Sequence, residues 1–437
     1  MPPRPTPGAF GRRSPVDGGA RSRERSGVRA HDTADVVVLG AGPAGLAATL
    51  CLARGGADVV LLEAGPQAGG LCRTRWRHGH GLDLGGHIPF VRSDARLAWL
   101  RDLLGDELRH VDRPVSCVRD GRVVPGRYLD QRPDVLPAET APGARAVAGA
   151  AGALGGLFGD AFVDVAMRPY LEKIDGLPLE RIIADRPLRL MREQGAPDGF
   201  WFPAGGIGRL MDAMADAARA EGARIEMGTP VAGIEVSEGR ATGVRLGPGN
   251  ATIASDGVVA SLPPGVAAGL VEPALPREAR PRLAMRAVVI VALEFARRRV
   301  GDEAWIQVDD PGVPFARAYE PANWSADLAP PGRTALGLEC YCHPSGDDPT
   351  WSSGDEGLAR RCAGALAERL EWIGDPDEAR LIDVVRLPNA YPLPDATRMA
   401  DLAASAEWLA GIERLELVRG ADVLAAVDAG EAAANRG

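Results

Sequence analysis

The chain sets short, continuous apolar runs between stretches of helical spacing. Residues 36–39, VVVL, form one such run and residues 59–62, VVLL, another. Uninterrupted runs of this length suit parallel strands buried on both faces. Between them, residues 46–54 carry apolar side chains at helical spacing. Strand, turn, helix and strand predict the start of an α/β unit. Residues 93–104 read as a helix opened by Ser93-Asp94, and residues 115–124 as a hairpin turning at Asp120-Gly121. Residues 130–200 are mainly helical in pattern, with one helix expected over 158–172. No strand is expected before the Gly205-Gly206 pair, which reads as a turn into an amphipathic helix. A central strand at 257–262, ending in Pro263-Pro264, and a β-rich run at 287–295 follow.

The turn between the first strand and its helix is Gly40-Ala41-Gly42-Pro43-Ala44-Gly45, with no spacer on either side. Gly40 permits the sharp turn, Gly42 lets backbone approach a pyrophosphate, and Gly45 lets helix and strand pack closely. The helix N-terminus then offers free N–H groups and a partial positive charge to an anion. Glu63 closes the second run at the distance where a carboxylate bonds both ribose hydroxyls, which disfavours a 2′-phosphate. The predicted ligand is an adenine dinucleotide.

The residues after Glu63 carry a resemblance. AGPQAGGLCRT resembles the glycine pair plus arginine that follows the ribose-binding acid in FAD enzymes of the amine oxidase and protoporphyrinogen oxidase superfamily. GLDLGGHIPF resembles the segment passing the flavin ring, most closely in UDP-galactopyranose mutases and their oxidoreductase relatives. The resemblance implies FAD as cofactor and a Rossmann-like FAD-binding domain with a discontinuous inserted α+β substrate domain. It implies cofactor contacts at Gly40, Gly42, Pro43, Ala44, Gly45, Glu63, Ala64, Gly70, Leu71, Arg73, Gly85, Gly86, His87 and Val231. Near the C-terminus it adds Gly420 and Asp428, the latter as the acid capping a final helix that stops within a few residues. Arg189 matches a phosphate-binding arginine of the mutases, so the implied catalytic residues are His87, Arg189 and Tyr391. The mutase tyrosine pair is reduced to Ala390-Tyr391. Arg317, Tyr319 and Trp324 are candidate cavity residues, Trp324 reading more readily as core packing.

The expected division is a disordered Arg/Pro/Gly-rich tail at 1–32, an FAD domain at 33–93, 200–265 and 380–437, and a substrate domain at 94–199 and 266–379. With 437 residues, 46% of them hydrophobic, the chain can bury more than one core. A net charge of −9 argues against a nucleic-acid partner. No apolar run is long enough for membrane insertion, no export signal follows Arg12-Arg13, and the six scattered cysteines suggest neither a metal site nor a disulfide framework. A cytoplasmic location is the expectation. Lys173, the one lysine, is either a surface residue or the flavin-side lysine that amine oxidases use. No second glycine fingerprint appears, so electrons would come from the substrate, from transient NAD(P)H or from an external reductase.

These readings converge on an FAD-dependent oxidoreductase that moves a hydride between flavin N5 and a small metabolite, such as a sugar derivative or biosynthetic intermediate. A non-redox flavin-dependent mutase and a flavin-bound non-catalytic partner protein remain as alternatives, and an oligomer is possible.

Overall fold

The computed structural model describes residues 32–119, 121–128, 149–193, 199–247, 251–277, 284–420 and 422–436. Of the expected tail only Asp32 lies among them, and it already begins a strand. The chain divides into two compact units: Met1–Arg73, Leu210–Arg282 and Asp401–Gly437 form the first, Thr74–Arg209 and Leu283–Ala400 the second.

In the first unit the strand Asp32–Leu39 pairs in parallel with Val59–Leu62 on one side and Thr252–Ala260 on the other. Val36 to Leu39 and Val59 to Leu62 are all buried, which explains their lack of alternation. Arg224–Glu226 extends the sheet past Val59–Leu62, while Arg240–Leu246, Val231–Ser237 and Val271–Glu272 continue it at the other side. Leu415–Leu417 pairs in parallel with the end of Thr252–Ala260. The helix Pro43–Arg54 packs closely on the C-terminal helix Val423–Arg436, since a Cβ on Gly430 would collide with the Ala44 carbonyl oxygen.

The second unit is built on seven strands in the order Arg380–Pro392, Met285–Phe295, Thr334–Cys342, Arg317–Tyr319, Trp305–Gln307, Val115–Arg119 and Arg122–Pro125. Val289, Val291, Leu336, Leu338, Cys340 and Ala318 turn one face of this sheet into a core shared with Leu358, Cys362 and Leu366 of the helix Asp355–Glu368. Alternation therefore directs Arg317, Tyr319, Glu339 and Tyr341 to the opposite face.

Several expectations need correction. The helix expected at 158–172 is three: Ala150–Phe158, Asp160–Ala166 and Arg168–Asp175. Gly159 at φ 84° ends the first, and Pro169 favours a fresh start at the third. Residues 130–148 and 194–198 of the expected helical region, and Asp120 of the hairpin, lie outside the described residues. A strand, Phe200–Pro203, does precede Gly205-Gly206, but it pairs antiparallel with Leu108–Val111. The unit boundaries also fall elsewhere. Arg380–Pro392 is paired along its length with Met285–Phe295, so it belongs to the second unit, and residues 74–93 and 200–209 join it. Among the described residues no helix is long and apolar enough to cross a membrane.

Candidate active site

The glycine turn of the first unit is set by backbone crowding. Gly40 has φ 92°, and a Cβ there would lie 2.9 Å from the Ser261 carbonyl oxygen. A Cβ on Gly45 would collide with the Gly40 carbonyl. These two glycines are required by the fold itself. Gly42 and Gly70 are different, because a Cβ on Gly42 would come no closer than 4.0 Å to Ser261 Oγ, and one on Gly70 would meet only Gly42 Cα at 3.5 Å. They border one open cradle that side chains would fill. The helix Pro43–Arg54 begins at its rim with Gly42 as N-cap, no side-chain cap and Pro43 at its first position. The N–H groups of its first turn therefore remain free for an anion.

Glu63 ties this turn to the second strand. Its Oε2 accepts from the Ala41 N–H at 2.8 Å and its Oε1 from the Gly65 N–H at 2.7 Å. The Gly69 N–H donates to the Ala41 carbonyl at 2.7 Å, and Arg73 donates through Nη1 to the Gly70 carbonyl at 3.1 Å. Gly228 and Thr229 donate to the carbonyls of Gly65 and Glu63, both at 2.8 Å, which ties the chain just before the strand Val231–Ser237 to the backbone on either side of Ala64. Gly40 to Gly45, Glu63 to Arg73 and Val231 thus belong to one backbone-linked cluster. Gly420 approaches the helix Val423–Arg436 so closely that a Cβ would collide with the Ala426 backbone.

In the second unit, Gly85 has φ 106° and opens a tight turn closed by the His87 N–H on the Gly85 carbonyl at 2.9 Å. The Gly86 N–H donates to Glu339 Oε1 at 3.2 Å. His87 Nε2 faces the Leu84 carbonyl at 3.1 Å. A carbonyl only accepts, so Nε2 holds the proton and Nδ1 keeps its lone pair. Burial lowers the His87 pKa, against the opposing pull of the Glu339 charge and the Leu84 carbonyl.

Glu339 is a junction for several side chains. Its Oε2 accepts from the Tyr341 hydroxyl at 2.7 Å, and Arg317 Nη1 stands 3.4 Å away. Burial opposes the charge on Arg317, but Glu339 and the phenols of Tyr341, Tyr170 and Tyr391 hold its pKa above the usual range. Even so, Arg317 Nε and the Tyr170 hydroxyl are buried without a hydrogen-bond partner among the described residues. The Tyr341 and Tyr391 rings stack at 6.0 Å and 20°, and burial raises both phenol pKa values. Beside them Arg186 pairs with Asp175 at 3.1 Å. Arg286 donates to the carbonyls of Lys173, Ile174 and Tyr341, each at 3.2 Å, so it closes the C-terminus of the helix Arg168–Asp175.

A family model described as FAD dependent oxidoreductase matches residues 35–385. The chain belongs to that family. The chain is 30% identical over 282 residues to the hydroxyneurosporene desaturase of Cereibacter sphaeroides, covering 51% of this chain and 55% of that protein. It is 43% identical over 80 residues to the inactive all-trans-retinol 13,14-reductase of Danio rerio, 18% of this chain and 13% of that one. The chain thus matches about half the length of the first relative and far less of the second. Among solved structures it is similar to reduced UDP-galactopyranose mutase, with TM-score 0.74, 20% identity and coverage of 92% and 95% of the two chains. Putrescine oxidase bound to putrescine gives 0.69, 18%, 92% and 98%. A putative protoporphyrinogen oxidase from Exiguobacterium gives 0.67, 18%, 92% and 97%. At these identities the likeness shows a shared fold.

The open cradle at Gly42 and Gly70, faced by an uncapped helix N-terminus, fits the FAD of that family. The remaining expectations divide. Asp428 does not cap the C-terminal helix: that helix starts at Val423, and Asp422 Oδ1 accepts from the Ala425 N–H at 2.9 Å. The helix does end within a few residues of Asp428, at Arg436, but its earlier start gives it 14 residues. His87, Arg317 and Tyr391 belong to the polar neighbourhood of Glu339. Arg189 lies half-buried on the helix Asp185–Glu193 and interacts electrostatically with Asp175, but Arg186 of that helix makes the buried ion pair. Tyr319 and Trp324 stack at 5.0 Å and are spent on packing, with Trp324 Nε1 donating to the Ala304 carbonyl and the Tyr319 hydroxyl to that of Asp83. Lys173 is not a free surface residue: its ammonium donates to the carbonyls of Val308, Asp310 and Phe315 at 3.1, 2.8 and 2.7 Å. Sequence reasoning missed Glu339, Tyr341, Arg186 and Asp175. The signal for Glu339 was present, since it is the one charge in the otherwise apolar strand TALGLECYC.

Proposed function

We propose that this enzyme exchanges a hydride between flavin and a small polar metabolite that carries an oxyanion, a carboxylate or a phosphate. The observation that carries this reading is the buried Arg317 guanidinium, whose Nε has no acceptor among the described residues, beside the Tyr170 hydroxyl, which has no hydrogen-bond partner among them either. Unsatisfied buried donors are costly, and an acceptor-rich anion would satisfy both at once. Arg186 and Tyr391 add to the donor-rich lining.

The cofactor would be held by Gly40, Gly42, Pro43, Ala44, Gly45, Gly70, Leu71 and Arg73 along its pyrophosphate, by Glu63 at the ribose, and by Ala64 and Val231 towards adenosine. Gly420, ahead of the helix Val423–Arg436, would also contact the cofactor, and Gly85 and Gly86 are the residues proposed for its flavin side. Bound FAD supplies the hydride acceptor or donor at N5. When a substrate carbon gives up a hydride, the attached hydroxyl or amine must also lose a proton. His87 is set up to take it, because its Nδ1 lone pair is the one the Leu84 carbonyl leaves free. In the reverse direction the same atom returns the proton. The named activity of the matched desaturase, removal of hydrogen, supports a redox reading.

Anaerobic mixing of the FAD-loaded enzyme with anionic metabolites is the test. Bleaching of the flavin band by a hydroxy acid, amino acid or sugar phosphate is expected, with Arg317→Met raising KM at least about tenfold. Bleaching by NADPH alone, with no response to any anion, would sink the substrate assignment. A non-redox isomerisation is the second reading. It is favoured by the Tyr341–Tyr391 stack, since two strands together present the tyrosine pair that the sequence alone lacks. Turnover by dithionite-reduced enzyme with no net change in flavin redox state would select it.

A further inference from the structure

The carboxylate of Glu339 stands between the turn at 85–87 and the donor-rich lining, and neither assignment above gives it a role. It is 1% exposed, on the strand Thr334–Cys342. One oxygen holds the Gly86 N–H at 3.2 Å, and the other holds the Tyr341 hydroxyl at 2.7 Å and faces Arg317 at 3.4 Å. The turn is fitted around it: Gly85 sits at φ 106°, and a Cβ there would lie 3.3 Å from Glu339 Oε1 and 3.8 Å from His87 Nε2. A buried charge is costly unless paired and hydrogen-bonded, and Glu339 divides its pairing between two functions.

We propose that Glu339 is a positioning residue that holds the His87 turn and the Arg317–Tyr341 pair in one fixed arrangement, so that proton acceptor and anion receptor are set by a single carboxylate. This rests on the roles proposed above for His87 and Arg317, but its test needs no turnover. The charged groups facing His87 are Glu339 from one strand and Arg317 from the next, with the Leu84 carbonyl on the imidazole itself. Removing the Glu339 charge leaves Arg317 uncompensated, so both changes disfavour a protonated His87.

The experiment labels the histidines at Cε1 with carbon-13 and follows the His87 resonance, assigned by its loss in His87→Gln, through a pH titration of the purified holoenzyme. Glu339→Gln should lower the His87 midpoint by about half a unit to one unit. Its side-chain carbonyl can still accept from Gly86, so slow amide exchange at Gly86 and His87 should persist. Glu339→Leu should free those two amides to exchange at least about tenfold faster. Glu339→Asp keeps the charge and should leave the midpoint nearer wild type than Gln does. An unchanged His87 midpoint in Glu339→Gln would overturn the proposal, even if the protein lost overall stability. So would unchanged exchange at 86–87 in a folded Glu339→Leu protein. Absence of substrate bleaching would instead count against the oxyanion assignment while leaving these readouts intact.

Discussion

Lys173 shows how residue-scale chemistry escapes a sequence reading. Its singularity was visible, but its role depends on three carbonyls that lie more than a hundred positions downstream. Burial lowers its pKa to about 8, which still leaves the ammonium protonated at neutral pH, and the three carbonyls satisfy its three hydrogens. Lys173→Met should leave the Val308 and Phe315 carbonyls without this donor, while the Asp310 carbonyl keeps the Val313 N–H, and should cost roughly 2–4 kcal/mol, read by urea unfolding. Lys173→Arg should recover only part of that loss, because a planar fork cannot reproduce three converging bonds. A neutral Met variant would return Lys173 to the bland surface role. Glu339 makes the same point about legibility. A lone charge in an apolar strand marks it as special, whereas its partners, Gly86, Arg317 and Tyr341, come from register and turn geometry that no local pattern encodes.

At the scale of elements, the strand–turn–helix–strand segment was legible because each step is local. Apolar runs fix the strands, the absent Cβ atoms fix the turn, and Pro43 fixes the helix start. The glycines of that turn separate into two kinds. Gly45 faces the Gly40 carbonyl, while Gly42 faces open space. Gly45→Val should therefore destabilise the first unit by several kcal/mol, on the order of 3 or more, since backbone must move. Gly42→Val should unfold at nearly the wild-type denaturant concentration yet purify without its flavin absorption band. Both variants losing flavin and stability alike would refute the division. The C-terminal helix was misread for a related reason: a resemblance placed its cap at Asp428, but capping depends on where the backbone turns, and that is Asp422. Asp422→Ala should cost about 1 kcal/mol, the usual value of an N-cap bond, measured by thermal unfolding.

Across the molecule, alternation was the least legible feature. The seven strands of the second unit's main sheet come from segments spread between Val115 and Pro392, and their order reflects long-range pairing. A reading along the chain accordingly placed residues 380–400 with the FAD domain. The same long-range assembly buries Asp83, whose carboxylate accepts from the Thr74 hydroxyl and from the Ile207 N–H at 3.1 Å, while Thr74 Oγ1 accepts from the Gly208 N–H at 2.9 Å. One buried acid thus fastens the hairpin Thr74–Arg77 and His80–Asp83 to the start of the helix Gly208–Ala220. Burial pushes its pKa up to about 7, outweighing both hydrogen bonds to the carboxylate. An unfolded carboxyl titrates near 3.8, so between those values the folded chain binds more protons than the unfolded one. The stabilising contribution of Asp83 is then complete below about pH 4 and is lost as the pH rises through about 7. Urea unfolding of wild type and Asp83→Asn at about pH 5 and about pH 7 isolates this group, because every other titration is common to both proteins. The wild-type advantage should be larger at the lower pH, changing by up to about 1.4 kcal/mol per pH unit. An advantage that grew with pH would mean that the Thr74 and Ile207 bonds outweigh burial, and that Asp83 is fixed as a carboxylate in the folded chain.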